Sequence, residues 1–369
     1  MATPSAVHQF IPSFVTRDAI GFHAMQVHSV LRDMGLRSEF YVRDASAERQ
    51  HLVRPYESYR SRPGEWLLYQ ASTGSVMGEW LLGRPEPKLV NYHNVTPASF
   101  FEAWEPWLCD EVSEGRRQIE KLASVTTHAI AVSRYNQAEL TAAGYRSTSV
   151  APLMLDLGDF EHEADRPTLE WMRRASERGG ANFVFVGRIV PNKAQHDLIK
   201  ALVAYRRLYD PEARLYLVGG GASPAYQNAL KRFAGALGLR GAVDFAGSVS
   251  DAERSAYYRG ADAFVCLSDH EGFGGPLLEA MHAGVPVVAY GSSAIPETVG
   301  DAALVLADKH PAVVAAALWK VVSDQDLRQR LVEAGRRRLA QFSLERTRAA
   351  FRAAMEQALA AGATAGASR

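Results

Sequence analysis

Short apolar runs alternate with amphipathic stretches along almost the whole chain, and the runs fall into two sets of six. The first set comprises Val7–Ile11, Glu39–Val42, Trp66–Tyr69, Lys88–Tyr92, Ala129–Val132 and Ser149–Leu153. The second set comprises Asn182–Val186, Arg214–Val218, Ala242–Phe245, Ala263–Leu267, Val285–Ala289 and Ala303–Leu306. Strands that alternate with helical segments are typical of βαβ units, so the pattern predicts two doubly wound α/β domains with parallel sheets.

A polar, charged stretch over residues 156–182 separates the two sets and predicts an interdomain linker. We expect an N-terminal domain over residues 1–165 and a C-terminal domain over residues 180–345. We expect residues 346–369 to form a C-terminal helix. In one interpretation this helix crosses back to the N-terminal domain. The last ten residues are small and polar, and we expect them to form a frayed tail.

Composition narrows the class of protein. The chain has 369 residues, with 41 lysines and arginines against 41 aspartates and glutamates. A net charge of zero excludes a global positive field that would attract nucleic acid. Only Cys109 and Cys266 occur, which excludes a disulfide framework and favours a reducing compartment. No signal-peptide pattern and no 18-residue apolar run are visible, so we expect a cytoplasmic protein; contact with the inner face of a membrane stays open.

The most informative stretch follows the predicted buried strand Ala263–Leu267. Its glycines Gly272, Gly274 and Gly275 let a ligand approach the backbone closely, and the next residue, a proline, suits the first turn of a helix. A helix start presents N–H groups and positive dipole to an anion such as a diphosphate.

Two carboxylates accompany this turn. Glu271 precedes it and Glu279 lies one turn into the helix, where a carboxylate suits sugar hydroxyls rather than phosphate. In an alternative interpretation Glu279 is a solvated first-turn acid that supports the helix dipole.

A second strand-then-loop stretch carries two cations five residues apart, Arg188 and Lys193. An arginine fork and a lysine point charge suit the two phosphates of a diphosphate. The alternative is a pair of solvated surface cations.

Glu271 and Glu279 stand in a Glu-Gly-Phe-Gly-x-Pro-x-x-Glu-Ala frame, with Gly187-Arg188 and Lys193 upstream. In this combination the chain resembles the retaining, nucleotide-sugar-dependent glycosyltransferases of family 4 (group 1). The resemblance is strong over residues 182–300 and weaker in the N-terminal half. It implies the GT-B fold: two Rossmann-like domains that face each other across a cleft, the C-terminal one binding the donor and the N-terminal one mainly the acceptor.

The resemblance also implies roles for individual residues. Arg188 and Lys193 would hold the donor diphosphate, Glu271 would face the donor sugar, and Glu279 would bind the ribose. Further donor contacts are implied for Gly21, Gly187, Gly219, Gly220, Ser248, Val249, Gly272, Phe273, Gly274, Gly275 and Leu278. Many relatives have glycine after the lysine, where this chain has Ala194; we expect this position to open a helix, in which alanine is tolerated.

In the N-terminal half, His93 ends the fourth predicted strand. By the resemblance it lies beside the donor sugar and is catalytic with Glu271, Arg188 and Lys193; alternatively it is a strand-end histidine that bonds only to backbone.

Four further residues are candidates for acceptor binding. Ser133 and Arg134 follow the fifth strand. Trp104 and Trp107 belong to an apolar stripe that is either core or an acceptor-binding wall.

We expect no metal and no cofactor, because the nucleotide sugar is itself a substrate. Asp324 and Asp326 imitate the metal-binding Asp-x-Asp of another glycosyltransferase fold, but they start a helix, so capping is the favoured interpretation.

The expected function is retaining transfer of a hexose-type sugar from a UDP- or GDP-type donor to an acceptor hydroxyl. The acceptor would be a glycan, a lipid-linked molecule or a small molecule, in bacterial glycan or glycoconjugate synthesis. Two alternatives are a GT-B sugar-nucleotide epimerase and a catalytically inactive sugar-nucleotide binding protein. The sequence does not specify the base, the sugar, the acceptor, the linkage or the oligomeric state.

Overall fold

The structure is a computed structural model that describes residues 4–15, 18–155, 157, 164–177, 179–221 and 223–367. Its contacts divide the chain into two compact units. The N-terminal unit comprises Met1–Ser99, Pro106–Asp156 and Phe342–Arg369, and the C-terminal unit comprises Phe100–Glu105 and Leu157–Gln341. These bounds differ from the predicted ones, because residues 100–105 pack with the C-terminal unit and residues 342–345 pack with the N-terminal unit.

The N-terminal unit contains a seven-stranded parallel sheet with the order β3-β2-β1-β4-β5-β6-β7. Its strands are β1 (Ala6–Phe14), β2 (Phe40–Ala45), β3 (Val53–Pro55), β4 (Glu65–Ala71), β5 (Lys88–Tyr92), β6 (Thr126–Ala131) and β7 (Thr148–Val150). Its α-helices are α1 (Ala19–Asp33), α2 (Val76–Leu82), α3 (Pro106–Ala123), α4 (Arg134–Ala142) and, at the end of the chain, α13 (Leu344–Ala367).

The C-terminal unit contains a six-stranded parallel sheet with the order β10-β9-β8-β11-β12-β13. Its strands are β8 (Asn182–Val186), β9 (Arg214–Val218), β10 (Val243–Gly247), β11 (Ala263–Cys266), β12 (Val287–Tyr290) and β13 (Ala303–Leu306). Its α-helices are α5 (Arg166–Ser176), α6 (Gln195–Leu208), α7 (Pro224–Ala236), α8 (Asp251–Arg259), α9 (Gly275–His282), α10 (Ile295–Val299), α11 (Pro311–Ser323) and α12 (Gln325–Leu339).

Each of the twelve predicted strands overlaps an observed one, which confirms two doubly wound sheets. The edge strand β3 was not predicted, because it is short and its Arg54 and Pro55 are exposed. Helix α5 lies within the predicted linker, where it fully buries Met172; linker residues 156, 158–163 and 178 lie outside the described residues. Helix α13 runs to Ala367 rather than ending in a frayed tail, since glycine at position 362 lets it pack tightly on the ring of Trp66.

In both sheets the strand order reverses at an equivalent place, between β1 and β4 in the N-terminal unit and between β8 and β11 in the C-terminal unit. Ligands of open α/β sheets bind beyond the carboxyl ends of the strands at such a reversal. The topology therefore directs attention to the loops that follow these strands. No helix within the described ranges is both long and apolar enough to cross a membrane.

Candidate functional site

The loops after β8 and β11 meet at the reversal of the C-terminal sheet. Lys193, from the first loop, places its Nζ 2.6 Å from Oε2 of Glu271 in the second, with side chains 16% and 12% exposed. The other carboxylate oxygen of Glu271 accepts a hydrogen bond from the Ser268 hydroxyl at 2.9 Å. A cation and a carboxylate predicted from two separate motifs thus lie in one largely buried group.

Asn192 holds these two loops together. Its carbonyl accepts a hydrogen bond from the backbone N–H of Asp269 at 2.9 Å, and its side-chain Nδ2 donates to the carbonyl of His270 at 3.0 Å. The residue is 3% exposed. This role could not be predicted from local sequence, because the partner lies 78 positions away along the chain.

Ala194 does open a helix, as expected, because it is the N-cap of α6, but its backbone is not in a conformation that favours alanine. This residue has φ +50° and ψ +40°, which is the left-handed conformation, and it is fully buried. A side chain costs roughly 1–2 kcal/mol in that conformation, whereas glycine adopts it freely. The alanine therefore stores backbone strain directly beside Lys193.

The glycines after β8 and β9 permit close backbone contact. Gly187 donates its N–H to the carbonyl of Val218 at 2.9 Å, and a Cβ added at Gly219 would lie 2.1 Å from the Gly187 carbonyl oxygen. A Cβ at Gly220 would lie 2.8 Å from the hydroxyl oxygen of Ser248, which follows β10. Four predicted donor residues therefore form one continuous surface. Val249, the next residue, is half-buried.

Helix α9 starts without a side-chain cap. Its N-cap is Gly274, with φ +88°, where a Cβ would meet the Leu277 side chain at 2.6 Å. Gly272 and Gly275 are half-buried, so ligand can reach their backbone. Phe273 is buried and Leu278 is fully buried, so their donor contacts stay predictions.

Two serines that the sequence analysis missed complete the site. Ser293 accepts a hydrogen bond from the backbone N–H of Glu271 at 2.7 Å, and the Ser292 hydroxyl donates to the carbonyl of Ser268 at 2.5 Å. Both follow the apolar strand β12 at the carboxyl edge of the sheet. Small polar residues in that position are the signal that could have identified them.

Glu279 is not the solvated acid of the alternative interpretation. The Tyr258 hydroxyl donates to its Oε2 at 2.9 Å, and Nη1 of Arg254 lies 3.8 Å from its Oε1, with the carboxylate side chain 15% exposed. Burial raises the pKa of Glu279, and the charge of Arg254 opposes that shift.

Arg188 is different, since its side chain is exposed and forms no hydrogen bond or ion pair with any described residue. Only its backbone is fixed, through its carbonyl, which accepts from Gln195 at 2.9 Å. The diphosphate role and the solvated-cation alternative both stay open for Arg188.

In the N-terminal unit, His93 joins a buried polar network at the carboxyl ends of β1, β4 and β5. Its Nε2 lies 2.7 Å from Oε1 of Gln70, which also accepts from Asn91 at 2.9 Å. Gln70 in turn donates to Gln9 at 2.7 Å, and Asn91 lies 2.7 Å from Nε2 of His23. The interpretation of His93 as bonding only to backbone is wrong, because its partner is a side-chain amide.

Burial keeps the histidines of this network neutral. It lowers the pKa of His93 to about 3, and it lowers that of His23 well below its usual value, with His93 adding to the effect. Nδ1 of His93 has no hydrogen-bond partner among the described residues. A neutral imidazole that donates from Nε2 to Gln70 therefore presents Nδ1 as a hydrogen-bond acceptor.

The remaining predicted residues of the N-terminal half are more dispersed. Gly21 lies in the first turn of α1 rather than in a loop, and its N–H donates to the capping Asp18 at 3.2 Å. Ser133 caps α4 by accepting from the N–H of Asn136 at 3.1 Å, while Arg134 is exposed. Their ligand contacts stay predictions.

The two candidate tryptophans belong to different units. Trp104 packs against the core of the C-terminal unit, with its ring 5.2 Å from that of Tyr226. This packing favours the core interpretation for Trp104. Trp107 lies in α3 of the N-terminal unit and is 57% exposed, so its contact with an acceptor stays a prediction.

Within the described ranges, no group of three or more His, Cys, Asp or Glu residues is placed to hold a metal ion. Asp324 accepts the backbone N–H of Leu327 at 2.9 Å and caps α12, which confirms the capping interpretation of the Asp-x-Asp pattern.

The structure therefore has two Rossmann-like sheets, and at one strand reversal it places glycine loops, a cation and two carboxylates. Open α/β proteins bind their ligands at such a reversal. Residues 170–338 match the family model described as Glycosyl transferases group 1. Through this segment, which is less than half of the chain, the protein is similar to the group 1 glycosyltransferases.

Two curated relatives illustrate the family. The chain is 33% identical over 233 residues to a GDP-mannose-dependent alpha-(1-6)-phosphatidylinositol monomannoside mannosyltransferase of Mycobacterium tuberculosis, covering 60% of this chain and 59% of the relative. It is 36% identical over 171 residues to a D-inositol 3-phosphate glycosyltransferase of Salinispora arenicola, covering 44% of this chain and 38% of the relative. The chain thus spans less than two thirds of the length of these relatives.

Among solved structures, HepE from Anabaena in complex with UDP and glucose superimposes with a TM-score of 0.75 at 17% identity, covering 95% of this chain and 99% of that chain. This likeness shows the fold, which is GT-B.

Proposed function

We propose that the chain transfers a hexose-type sugar from a nucleoside diphosphate to an acceptor hydroxyl, with retention of the anomeric configuration. The observation that carries this proposal is the Lys193–Glu271 pair, at 2.6 Å, beside glycine loops and an uncapped helix start. A cation and free helix N–H groups suit a diphosphate, and a carboxylate suits the hydroxyls of a sugar.

The donor diphosphate would lie between Lys193, Arg188 and the start of α9. Negative charge grows on the diphosphate as the bond to the anomeric carbon breaks, and groups fixed around it stabilise that charge. Asn192 and the strained Ala194 on either side of Lys193 hold it in place before the donor binds. We therefore assign leaving-group stabilisation to this loop and propose that no metal ion or other cofactor is needed.

Glu271 would have two tasks. Its ion pair positions Lys193, and its place at the glycine turn puts it beside the transferring sugar. Glu279, with Tyr258, would bind the ribose, a part of the donor that does not change during the reaction. This division separates a group that acts on the reacting sugar from one that acts only on binding.

We propose front-face attack as the mechanism. The acceptor oxygen bonds to the anomeric carbon on the side from which the diphosphate departs, and the acceptor proton passes to a diphosphate oxygen. His93 would accept a hydrogen bond from the sugar at Nδ1, and residues of the N-terminal unit, Ser133, Arg134 and Trp107 among them, would bind the acceptor.

The relatives support a UDP or GDP donor. The mycobacterial relative is named for GDP-mannose, and HepE was solved with UDP. We infer a role in bacterial glycan or glycoconjugate synthesis from the same relatives. The acceptor would be a glycan, a lipid-linked molecule or a small molecule.

Calorimetric titration with UDP, GDP and ADP in EDTA tests donor binding. We expect one nucleotide to bind, and a concentration of 100 times its dissociation constant to raise the free energy of unfolding by about 2.7 kcal/mol. Lys193→Ala should weaken binding. The matched control is Arg174→Ala, whose side chain is 75% exposed on α5.

Incubating the corresponding sugar nucleotide without acceptor then tests the reaction class. Slow release of the sugar with its configuration retained supports a retaining transferase. Conversion to an epimer would contradict the proposal in favour of an epimerase, and complete inertness towards water and all acceptors would indicate an inactive binding protein.

A further inference from the structure

A cavity of about 250 Å³ lies in the N-terminal unit near the amino-terminal ends of its strands. Charged side chains dominate its lining, namely Arg37, Arg54, Arg60, Arg62, Glu39 and Glu65. Glu65 is the first residue of β4, whereas His93 follows the carboxyl end of β5, so the two features lie at opposite edges of one parallel sheet. The proposed donor and acceptor sites do not account for this cavity.

Both carboxylates of the cavity already have their partners. Glu65, which is 3% exposed, accepts from the Tyr59 hydroxyl at 3.1 Å and from Nη2 of Arg37 at 3.3 Å. Glu39 accepts from the Tyr41 hydroxyl at 3.0 Å and pairs with Arg54 at 3.1 Å. Two of the four arginines are thus matched by acids.

The other two arginines are not matched by any acid among the described residues. Arg60 donates from Nη1 only to the backbone carbonyls of Glu57 and Tyr59, at 2.8 and 3.1 Å. The Arg62 side chain has no hydrogen bond or ion pair with the part of the chain that the structure describes. Four arginines and two glutamates leave the lining with two positive charges. Guanidinium forks of this kind recognise the planar oxygens of phosphate.

His8 supplies an independent observation. This residue also lines the cavity, is 3% exposed, and has its ring in edge contact with those of Tyr41 and Tyr59, at centroid distances of 5.6 and 6.0 Å. Its Nε2 lies 3.3 Å from Oε1 of Glu65, and its Nδ1 has no partner among the described residues. Buried polar atoms without partners are rare in folded proteins, which points to a ligand group that hydrogen-bonds this nitrogen.

We propose that this cavity binds a small hydroxylated phosphate monoester. Its dianionic phosphate would contact the guanidinium groups of Arg60 and Arg62. One of its hydroxyl groups would hydrogen-bond Nδ1 of His8, which has no partner among the described residues. One molecule would then pair with both the two positive charges and the unpaired nitrogen of His8. It would bind away from the proposed donor and acceptor sites.

Calorimetric titration of the full chain with glycerol 3-phosphate tests the proposal. Phosphate could also bind at the donor loop, so the titrations use the Arg188→Ala/Lys193→Ala background. We expect saturable binding with one site. Glycerol should not bind, and inorganic phosphate should bind at least tenfold more weakly because it leaves His8 unpaired. No binding of glycerol 3-phosphate, or equal binding of inorganic phosphate, would overturn the proposal.

Variants locate the site. Arg60→Gln/Arg62→Gln should weaken glycerol 3-phosphate binding at least tenfold, and both side chains are exposed, so folding is not at risk. Arg117→Gln is the matched control, since this arginine is 59% exposed elsewhere on the same unit. His8→Asn should weaken binding of glycerol 3-phosphate but not of inorganic phosphate. Equal affinity in the double variant and the control would overturn the assignment. Donor binding by the otherwise native Arg60→Gln/Arg62→Gln variant should be unchanged, which separates this site from the proposed function.

Discussion

The carboxyl edges of the two sheets are built on the same strand reversal but with different chemistry. In the N-terminal unit, Gln9, Gln70 and Asn91 are fully buried and bond to one another and to neutral histidines. In the C-terminal unit, the same edge carries the Lys193–Glu271 ion pair and glycine loops.

Burial explains the difference. A charge removed from water is costly unless it is paired, whereas an amide needs only hydrogen bonds. The N-terminal edge therefore presents fixed neutral dipoles, which suit hydroxyl groups. The C-terminal edge instead keeps a largely buried lysine paired with a carboxylate, and this fixed cation suits a diphosphate. The same topology thus carries two different chemistries.

The largest expected effect follows from removing the cations of the C-terminal edge. Arg188→Ala and Lys193→Ala should each cost on the order of 2–4 kcal/mol of transition-state stabilisation, measured as kcat/KM. Thermal unfolding should be nearly unchanged for Arg188→Ala, whose side chain is exposed. Near-normal kinetics in both variants would remove the diphosphate assignment and with it the contrast between the two edges.

Acid should destabilise the neutral edge. Burial lowers the pKa of His93 to about 3, against about 6.5 when unfolded, so below pH 6.5 protons bind the unfolded chain preferentially. The stability present above pH 6.5 is lost as pH falls, by roughly 2 kcal/mol at pH 5 for His93.

Urea unfolding at pH 7 and pH 5 measures this loss of stability on acidification. In His93→Gln the loss should be smaller by the amount expected for His93. The control is His51→Gln, at an exposed position of the same unit. An unchanged pH dependence in His93→Gln would show that this edge is not held neutral.

The two glutamates should fail differently. Glu279→Gln removes a ribose contact and should weaken nucleotide binding by roughly 1–3 kcal/mol, chiefly raising KM. Glu271→Gln removes the charge that pairs with Lys193, so free-nucleotide affinity should hold or increase while kcat falls. Calorimetry with the nucleotide, run beside kinetics, measures both, and the opposite pattern would mean that the two roles are exchanged.

Because the pKa of Glu279 is raised, its charge is lost at a higher pH than that of an ordinary glutamate. If ribose binding needs the charged carboxylate, the nucleotide affinity of the native chain should fall as the pH is lowered through the raised pKa of Glu279. The affinity of Glu279→Gln should be flatter with pH over the same range.

Backbone strain offers a smaller test. Ala194→Gly relieves a left-handed alanine but adds freedom to the unfolded chain, so the free energy of unfolding should change by less than about 1 kcal/mol. Gly274→Ala introduces that strain at the start of α9 and should lower the free energy of unfolding by about 1–2 kcal/mol. Urea unfolding measures both. Equal losses of unfolding free energy in Ala194→Gly and Gly274→Ala would contradict the assignment of backbone strain at these positions.

The smallest expected effect is that of EDTA, which should leave turnover unchanged. Lys193, Arg188 and the start of α9 are proposed to supply the positive charge that a metal would otherwise provide. Steady-state rates with and without chelator check this. Loss of activity that magnesium or manganese restores would show that the C-terminal edge needs a further cation.

The local pattern of apolar and polar residues predicted much of the fold and of the candidate site. Twelve strands could be located because parallel strands buried on both faces are continuous apolar runs. The residues that follow β8 and β11 could be singled out because glycines, cations and carboxylates after buried strands are locally recognisable. That Lys193 and Glu271 share an edge also follows, since βαβ units bring the carboxyl ends of parallel strands together.

Only tertiary structure decided the rest. Asn192 joins two loops, and Ser293 supports Glu271 from the loop after a third strand. Trp104 and Trp107 separate into different units. These three outcomes depend on partners that are distant in sequence. The left-handed angles of Ala194 and the neutral state of His93 depend on burial by many neighbours at once. Sequence therefore determined which side chains reach the site, and packing determined how they are held and charged.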